Sequence, residues 1–474
     1  MMRCDVAVIG GGFSGSMVTA QLARRGRSGI FVCVFEDGTI GQGAAYGTLH
    51  REHLLNTRAR AMSAFPDDPD HFVRWLGPRA GPDDFVSRRL YGVYVAEIAR
   101  AALERPRFSI INGRVVAASR QARGFELRTA SGARFLARTV VLATGNREPD
   151  NDFLPPAMVC HPGYVGNPWR FNYERVGGHV LLVGSGLTAL DVLVGLEASG
   201  HRGAVHVVSR HGRFPETHAE RLTPFDGVPA LDASDARTLL RSFRRNVSEA
   251  KQRGVDWRAV VDAVRPEGEK LWKRLNGPER RRFDRHLRAV WERHRHRAPQ
   301  QVDAVRERYR KSGRLFVHAG RVTDFRAGTV QIDPAQGQPV TLHCDWIVNC
   351  TGPGRGRRLL EEPLFADLHR AGLLTPEALG LGLRVDVDNA AIGAGGEAVR
   401  GLWAVGPLAR GSRFEATAVP ELRIMAEATA TQALEMLERD APEAAEPPNY
   451  FYVAMPVGDL SHMVAALPAS VSMP

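Results

Sequence analysis

The sequence has little of what marks membrane, secreted or metal-binding proteins. It contains no run approaching the roughly 18 apolar residues that a membrane-spanning helix needs. Its cysteines are odd in number and include no C-x-x-C pair, which disfavours a disulfide framework, a redox dithiol or a zinc site. The first apolar stretch leads directly into glycines instead of a cleavage site. We therefore expect a soluble, cytoplasmic protein with no metal and no membrane partner.

Length and charge indicate the number of domains and the kind of ligand. With 474 residues, the chain exceeds the roughly 250–300 residues at which one hydrophobic core stops growing, so we expect at least two domains. The formal net charge of +11 favours anionic ligands such as dinucleotides or acidic substrates. Basic residues concentrate between Arg237 and Arg314, among acids and with helical periodicity, which favours a solvated helical face over a nucleic-acid surface.

A glycine-rich turn follows the first predicted strand. Residues 4–15 read CDVAVIGGGFSG and place Gly10, Gly12 and Gly15 at G-x-G-x-x-G spacing before a helical pattern. Gly10 permits the turn, Gly12 lets the backbone approach a pyrophosphate, and Gly15 lets the helix pack on the strand. The second strand, GIFVCVFE, ends at Glu36, which can accept both hydroxyls of an adenosine ribose. A dinucleotide site explains this order of elements better than a plain tight turn would.

The same arrangement recurs in the middle of the chain. Residues 179–196 read HVLLVGSGLTALDVLVGL, with Gly184, Gly186 and then Ala189 at the third position. The next strand, AVHVVSR, ends in Arg210 where the first fold has an acid. An arginine there can pair with the 2′-phosphate of NADPH, although a surface cation would give the same pattern. Two such folds indicate a flavin, FAD, reduced by a nicotinamide coenzyme held beside it.

Two strand-like segments bracket the second fold. RTVVLATGN (138–146) and DWIVNCTGP (345–353) end in the turns Thr144-Gly145 and Thr351-Gly352, and we interpret them as the crossings between two domains. Near the C-terminus, residues 401–430 contain a strand, Gly406-Pro407, a loop and a helix. This segment is expected to close the FAD site, with the helix N-terminus near the flavin pyrimidine ring, unless it is ordinary αβ packing.

The fold class that we predict is α/β, with two dinucleotide-binding (Rossmann-like) domains, the NADP domain inserted in the FAD domain, and a helical insert. The boundaries are 1–170 and 345–445 for the FAD domain, 175–230 and 313–344 for the NAD(P) domain, 231–312 for the insert, and 446–474 for a tail. The insert ends in WERHRHR, whose cations cannot all share one helix face. Arg295 and Arg297 are therefore candidates to bind a substrate carboxylate, with a solvated arginine-rich helix as the alternative.

Segments spread over nearly the whole chain carry a family resemblance. They are GGGFSG, the stretch GAAYGT to FVRWL (43–76), FVSRRLYGVYV (85–95), WERHRHRAP (291–299) and TAVPELR (417–423). Together they resemble the bacterial FAD/NAD(P)-binding oxidoreductases related to flavin-dependent amino-acid N-hydroxylating monooxygenases. By this resemblance, Asn56 and Met62 would lie along the flavin ring with Arg88 close by, although helix-start packing explains the stretch around Asn56 equally well.

The resemblance implies a reaction with molecular oxygen. Reduced flavin would form a C4a-hydroperoxide that oxidises the amine nitrogen of a small, anionic, amino-acid-like substrate. The stretch MVCHPGYVGNPWR departs from the F-x-G-x-x-x-H-x-x-x-W linker of Baeyer–Villiger enzymes, which disfavours that class. The departure leaves room for an NAD(P)H-dependent oxidoreductase without oxygenation, and a non-catalytic, redox-responsive flavoprotein is a third possibility. The residues assign no catalytic acid or base and no oligomeric state.

Overall fold

In the computed structural model, residues 1–26, 29–227, 233–354 and 356–440 are described. The strands are β1 (Met2–Ile9), β2 (Val32–Glu36), β3 (Phe108–Asn112), β4 (Val115–Gln121), β5 (Gly124–Thr129), β6 (Arg134–Leu142), β7 (Tyr164–Val165), β8 (Val180–Val183), β9 (Val205–Ser209), β10 (Leu315–Arg326), β11 (Thr329–Pro334), β12 (Val340–His343), β13 (Trp346–Asn349), β14 (Ala390–Ile392) and β15 (Ala398–Ala404).

The helices lie between groups of these strands, except the last, which follows β15. They are α1 (Phe13–Arg25), α2 (Gly43–Tyr46), α3 (His71–Leu76), α4 (Arg88–Leu103), α5 (Pro156–Val159), α6 (Leu187–Ala198), α7 (Ala236–Gln252), α8 (Trp257–Val264), α9 (Gly268–Arg274), α10 (Gly277–His286), α11 (Arg288–Arg295), α12 (Gln300–Lys311), α13 (Pro363–Arg370) and α14 (Val419–Arg439). Within the described ranges, no helix is both long and apolar enough to cross a membrane.

The chain divides into two compact units. The first consists of Met1–Gly47, Thr57–Asn146 and the described part of Gly356–Pro474. Its main sheet has the strand order β14-β15-β6-β1-β2-β3, and β1 runs parallel to both β2 and β6. The buried apolar run of β1 suits a central strand that is covered on both faces. Helix α1 packs against α14 and α4. The turn between β1 and α1 lies at the carboxyl edge of this sheet because it follows the end of β1.

The second unit consists of Thr48–Asn56 and Arg147–Arg355. Its sheet has the order β12-β11-β10-β9-β8-β13-β7, in which β8, β9 and β13 are parallel neighbours. One face of the sheet packs on α6 and α12 through apolar side chains that include Leu193 and Val305. The other face of the parallel strands packs against Phe325 of β10 and Ile332 of β11. Both faces of the parallel strands are therefore covered.

Helices α7 to α11 form an insert between β9 and α12. Asp235 caps α7 by accepting a hydrogen bond from the Thr238 backbone amide. The inner face of α7 packs with Phe225, Ala259 and Val260 in a small core of its own. Helix α12, which the sequence analysis placed in the insert 231–312, instead belongs to the nucleotide fold. Its apolar positions lie on one side and pack against α6, as expected for the crossover that leads into β10.

The unit boundaries in the structure lie just after the two Thr-Gly turns. The chain leaves the first unit after Asn146 and returns at Gly356, next to the two turns interpreted above as the crossings, whereas the domain boundaries predicted from sequence were residues 170 and 345. The difference arises because β7 pairs in parallel with β13, so both segments are held in the second sheet. The short excursion Thr48–Asn56 also belongs to the second unit, and no local sequence pattern predicts it.

Candidate dinucleotide-binding sites

The turn from β1 to α1 has a backbone that only glycine fits at two positions. Gly10 has φ +103°, and a Cβ atom there would lie 2.4 Å from the carbonyl oxygen of Ala143. A Cβ atom on Gly15 would lie 1.8 Å from the carbonyl oxygen of Gly10. Any larger side chain would therefore push the helix away from the strand, and the turn is as tight as a phosphate-binding loop requires.

The middle glycine of this loop lies at the open end of α1. Gly12 is the N-cap residue, and a Cβ atom there would make only an ordinary contact, 3.5 Å from Gly43 Cα. No side-chain hydrogen bond caps α1, and its first turn carries no acidic residue. The first backbone N–H groups of a helix have no intrahelical acceptor, and here no side chain supplies one. Their partial positive charge suits a pyrophosphate.

Glu36 is fixed at the carboxyl end of β2 by two backbone amides. The Gly11 amide donates to Oε2 at 2.6 Å, and the Gly38 amide donates to Oε1 at 2.8 Å. Each carboxylate oxygen can accept more than one hydrogen bond, so both oxygens retain capacity for a ribose hydroxyl. The carboxylate is thus oriented by the same loop that presents the helix N-terminus.

The C-terminal segment 401–430 returns to the first glycine loop. Gly406 has φ +74°, and a Cβ atom there would lie 2.6 Å from the Ser14 Oγ atom in the first turn of α1. At the end of β6, Thr144 is exposed, and Gly145 has φ +74° with open space around its Cα. The turns that contain Gly406 and Gly145 both follow strands of the first sheet, so they lie at its carboxyl edge with the glycine loop.

Aromatic side chains pack beside this loop. Tyr46 lies 6.2 Å from Phe13 and 4.7 Å from Tyr91, measured between ring centroids. Burial raises the pKa of Tyr46 to about 12, and the charge of Arg88 opposes this shift. Met62 is buried and Arg88 is half-buried in the same unit. Sequence reasoning missed Tyr46 and Phe13 as neighbours of the loop, although Phe13 directly follows Gly12.

Asn56 belongs to the other unit. It is half-buried, and its carbonyl oxygen is hydrogen-bonded to His218 Nε2 at 3.0 Å. The structure therefore assigns Asn56 to the second unit and Met62 and Arg88 to the first, although the resemblance grouped all three beside the flavin. No sequence signal marks this division.

The second glycine loop has the same construction. Gly184 has φ +108°, and its Cβ atom would lie 2.5 Å from the carbonyl oxygen of Cys350. Gly186 is the N-cap of α6, has no side-chain cap, and has open space where a Cβ atom would stand. Ala189 is fully buried in the core of the unit. As in the first fold, the tight turn leaves a helix N-terminus facing open space.

The loop after β9 is tied to the second glycine loop. Ser185 Oγ lies 2.8 Å from Ser209 Oγ and donates to the carbonyl oxygen of Arg213 at 2.7 Å. Arg210 and Arg213 are both exposed, and within the described chain neither has a carboxylate partner. Sequence reasoning selected Arg210 but missed Arg213. The signal available was the second arginine of SRHGR, three residues further along the same loop.

Polar side chains brace the end of β13. Asn349 donates through Nδ2 to Asn151 Oδ1 at 2.8 Å and accepts from the Thr351 hydroxyl at 2.6 Å. Thr351 is exposed, and Gly352 has φ +81° with open space around its Cα. These residues follow the strand next to β8, at the same sheet edge as Gly184.

The structure does not bring Arg295 and Arg297 to an open surface. Both are buried, and each guanidinium is paired with a carboxylate, Arg295 with Glu292 at 3.1 Å and Arg297 with Asp262. Burial lowers the pKa of Arg297, and the charge of Asp262 opposes that shift. Both arginines are therefore buried cations paired with partly exposed carboxylates of the insert, an arrangement that differs from a solvated arginine-rich helix.

The thiols have positions unsuited to disulfide exchange. Cys4 of β1 and Cys33 of β2 are hydrogen-bonded to each other, and this contact together with burial raises the pKa of Cys4 well above its usual value. Burial raises the pKa of Cys344 to about 12 and also raises that of Cys350. Cys160 is the exposed cysteine. The attacking species in disulfide exchange is an accessible thiolate, which the buried four do not offer.

Two mixed sheets whose central strands are parallel, each with a strand–glycine–helix turn at the carboxyl edge of those strands, define a protein with two dinucleotide-binding folds. Comparisons with known proteins agree with this class. Residues 7–147 match the family model described as FAD-NAD(P)-binding. No curated protein sequence matches the chain.

Solved structures of flavoproteins are similar over almost the whole chain. The ornithine hydroxylase PvdA from Pseudomonas aeruginosa has a TM-score of 0.60 at 15% identity, covering 92% of this chain and 100% of that one. The ornithine N-hydroxylase KtzI from Kutzneria sp. 744 has a TM-score of 0.57 at 16% identity, covering 93% and 100%. The bacillithiol disulfide reductase Bdr (YpdA) from Bacillus cereus has a TM-score of 0.54 at 14% identity, covering 91% and 99%. The chain thus has the FAD/NAD(P)-binding oxidoreductase fold.

Proposed function

We propose that this chain is an FAD-dependent monooxygenase, reduced by NADPH, that oxidises the amine nitrogen of a small, anionic, amino-acid-like substrate. The reaction consumes the amine, O₂, NADPH and a proton, and it yields the hydroxylamine, water and NADP⁺. The observation that carries the proposal is the difference between the two strand ends: Glu36 follows the first glycine loop, whereas exposed Arg210 and Arg213 follow the second. A carboxylate suits an unmodified ribose, and arginines suit a 2′-phosphate.

The first unit has the features needed to hold FAD. The tight turn at Gly10 and Gly15, the uncapped N-terminus of α1, and the oriented Glu36 carboxylate provide a pyrophosphate and ribose site. The Gly406 turn contacts the first turn of α1 and is assigned to the flavin side of that site. When bound, FAD accepts a hydride from NADPH and delivers electrons to oxygen.

The second unit has the corresponding features for NADPH. The N-terminus of α6 after Gly186 takes the pyrophosphate. Ser209, Arg210 and Arg213 take the 2′-phosphate, with the Ser185–Ser209 and Ser185–Arg213 hydrogen bonds keeping the loop beside the glycine turn. The role of the protein in hydride transfer is to hold the coenzyme, because the chemistry belongs to the cofactors.

The thiols support oxygen as the electron acceptor over a disulfide. Cys4 and Cys33 are in contact but buried, and the raised pKa of Cys4 keeps it protonated. Exposed Cys160 has no neighbouring cysteine within the described chain. The likeness to two ornithine hydroxylases supports an amino-acid amine as the substrate class. The likeness to a disulfide reductase favours, as a second candidate, an NADPH-dependent reductase without oxygenation.

The test measures how NADPH oxidation is coupled to product. FAD-loaded protein in air-saturated buffer is given NADPH and one amine at a time, beginning with acidic amino acids and ornithine, while NADPH, hydrogen peroxide and hydroxylamine are quantified. We expect one amine to raise the NADPH consumption rate and to yield hydroxylamine in near-stoichiometric amount. If every amine leaves NADPH oxidation unchanged and all electrons appear as hydrogen peroxide, the monooxygenase proposal is refuted.

A cysteine variant separates the two candidates. Cys160→Ser removes the exposed thiol and leaves both glycine loops unchanged. An amine monooxygenase keeps its full NADPH oxidation and hydroxylamine yield in this variant. A reductase that works through Cys160 loses its disulfide-dependent NADPH oxidation.

A further inference from the structure

Nearly all of the excess positive charge of the chain lies in the helical insert. Between Ala236 and Arg295 there are eighteen Lys and Arg residues but only eight Asp and Glu residues, so this segment carries +10 of the formal +11. Positive charge at this density raises the free energy of the folded insert unless the cations are paired with carboxylates, solvated or bound by an anionic partner.

At least eight of these eighteen cations are paired with neighbouring carboxylates. Examples are Arg253 with Asp226 at 3.3 Å, Arg258 with Asp256 at 3.0 Å, and Lys273 with Glu269 at 2.7 Å. Five of the others lie on helix α7. Arg237, Arg241, Arg244, Arg245 and Lys251 are all exposed, and none of them has a carboxylate within ion-pair distance among the described residues.

Four of these cations form one straight row. At 100° per residue, Arg237, Arg241, Arg244 and Lys251 lie within about 80° of one another around the axis of α7, and the row is about 21 Å long. We call these four residues the α7 basic stripe. The opposite face of α7 packs in the small core that contains Phe225. The stripe therefore points away from this small core. The charge of Arg241 also lowers the pKa of the Asp235 cap, after the larger effect of the hydrogen bonds from Thr238.

We propose that the α7 basic stripe is a docking surface for an acidic helix of a partner protein. The stripe has spacings of four, three and seven residues, with Ser248 at the position between Arg244 and Lys251, and carboxylates at the same spacing on a helix packed alongside would face its cations. Three of the four cations are arginines, whose planar guanidinium pairs with a carboxylate through two parallel hydrogen bonds. A second copy of this chain is not the partner, because its net charge of +11 repels the stripe.

The side chains around the stripe disfavour the other polyanions. Large apolar side chains exposed in the described chain, such as Val290 and Phe316, do not include any on α7, so the helix has nothing to insert into a lipid interface. The exposed face also lacks an aromatic ring on which a nucleobase would stack. The narrow row suits a helix–helix contact better than the wide phosphate lattice of a duplex or a bilayer.

The test measures binding of a defined acidic helix. The probe is a fluorescent alanine-rich helical peptide with five glutamates at alternating four- and three-residue spacing, compared with the same peptide carrying glutamines. The stripe variant is R237Q/R241Q/R244Q/K251Q. The matched control is R253Q/K270Q/K273Q/R282Q, which removes the same number of charges from exposed but ion-paired positions of the insert.

We expect the wild-type protein to bind the glutamate peptide at low salt and to lose at least tenfold in affinity at about 300 mM salt, because exposed charges are screened. The stripe variant should lose at least tenfold at low salt and the control less than threefold. Failure of the wild-type protein to bind the glutamate peptide, or an equal loss in the control, overturns the proposal. Tighter binding to a DNA duplex or to anionic phospholipid vesicles than to the peptide also overturns it, since the partner is then another polyanion.

Circular dichroism of both variants checks that a loss of binding does not come from a loss of fold. All substituted positions are exposed, so both variants should keep the wild-type spectrum and unfolding midpoint. The salt dependence of the wild-type protein tests the proposal without any variant, and binding is independent of the catalytic activity proposed above.

Discussion

The coenzyme preference of the second fold gives the sharpest quantitative prediction. Replacing Arg210 with Ser removes an exposed guanidinium at the end of β9 and leaves the Ser185–Ser209 hydrogen bond in place. A hydrogen bond to a charged group contributes about 1.5–3 kcal/mol when shielded. Because Arg210 is exposed and water competes for the phosphate, we expect about 1–1.5 kcal/mol, or roughly a tenfold loss in kcat/KM for NADPH. The value for NADH, which has no 2′-phosphate, should stay within twofold.

The assay is the initial rate of flavin-dependent coenzyme oxidation, measured with both coenzymes for each variant. Arg213→Ser is expected to resemble Arg210→Ser, since both guanidiniums follow the same strand. Arg202→Ser is the matched control, because this exposed arginine precedes β9 at the opposite edge of the sheet. Equal losses for NADPH and NADH in Arg210→Ser, or a loss of the same size in Arg202→Ser, would refute the assignment of a 2′-phosphate site.

Three further predictions concern the first loop, the insert and the sheet of the second unit. Gly15→Ala places a methyl group 1.8 Å from the Gly10 carbonyl oxygen, so the purified variant should carry little FAD by flavin absorbance. Asp262→Asn leaves the buried cation of Arg297 uncompensated; because Asp262 is 40% exposed, we expect a loss of about 2 kcal/mol in the free energy of unfolding by urea. His206 has its pKa lowered to about 4 by burial and by the charges of His318 and His179. The unfolded chain therefore takes up a proton below about pH 6.5 that the folded chain refuses, and stability should fall by about 1–2 kcal/mol between pH 6.5 and 4. His206→Gln should remove that part of the pH dependence.

Each of these has its own control or refuting outcome. Gly395→Ala adds a methyl group to open space in the first unit and should keep full FAD, so equal loss in both variants would show general instability. Arg297→Met removes the buried cation and should cost less stability than Asp262→Asn, and the reverse order would contradict the pairing. An acid unfolding profile unchanged by His206→Gln would show that other groups govern it.

Local stereochemistry made the nucleotide loops predictable from sequence. Gly10, Gly15 and Gly184 occupy positions where a Cβ atom would collide with backbone, and such positions leave glycines at fixed spacing in the sequence. Glu36 could also be predicted from the sequence, because it ends the strand that follows the first helix. Strand, turn and helix follow one another within about 30 residues there, so each element lies beside the next.

Features set by distant contacts were not predictable. The carboxylate that pairs with buried Arg297 is Asp262, which lies 35 residues earlier in the chain, on α8. Arg295 pairs with Glu292, only three residues before it, but whether that pair faces water or the protein depends on the packing of the whole insert. Helix α12 has the same amphipathic period as its neighbours, and its contact with α6 exists only in the folded unit. The excursion Thr48–Asn56 leaves no periodic signal at all.

The most direct test of the account is anaerobic mixing of FAD-loaded protein with NADPH while flavin absorbance is recorded. We expect NADPH to bleach the flavin rapidly within a single turnover. Subsequent addition of oxygenated buffer with a productive amine should restore the oxidised spectrum through a transient absorbing species. A flavin that stays oxidised in the presence of NADPH would contradict the central claim that the two nucleotide folds work as one NADPH-reduced flavoenzyme.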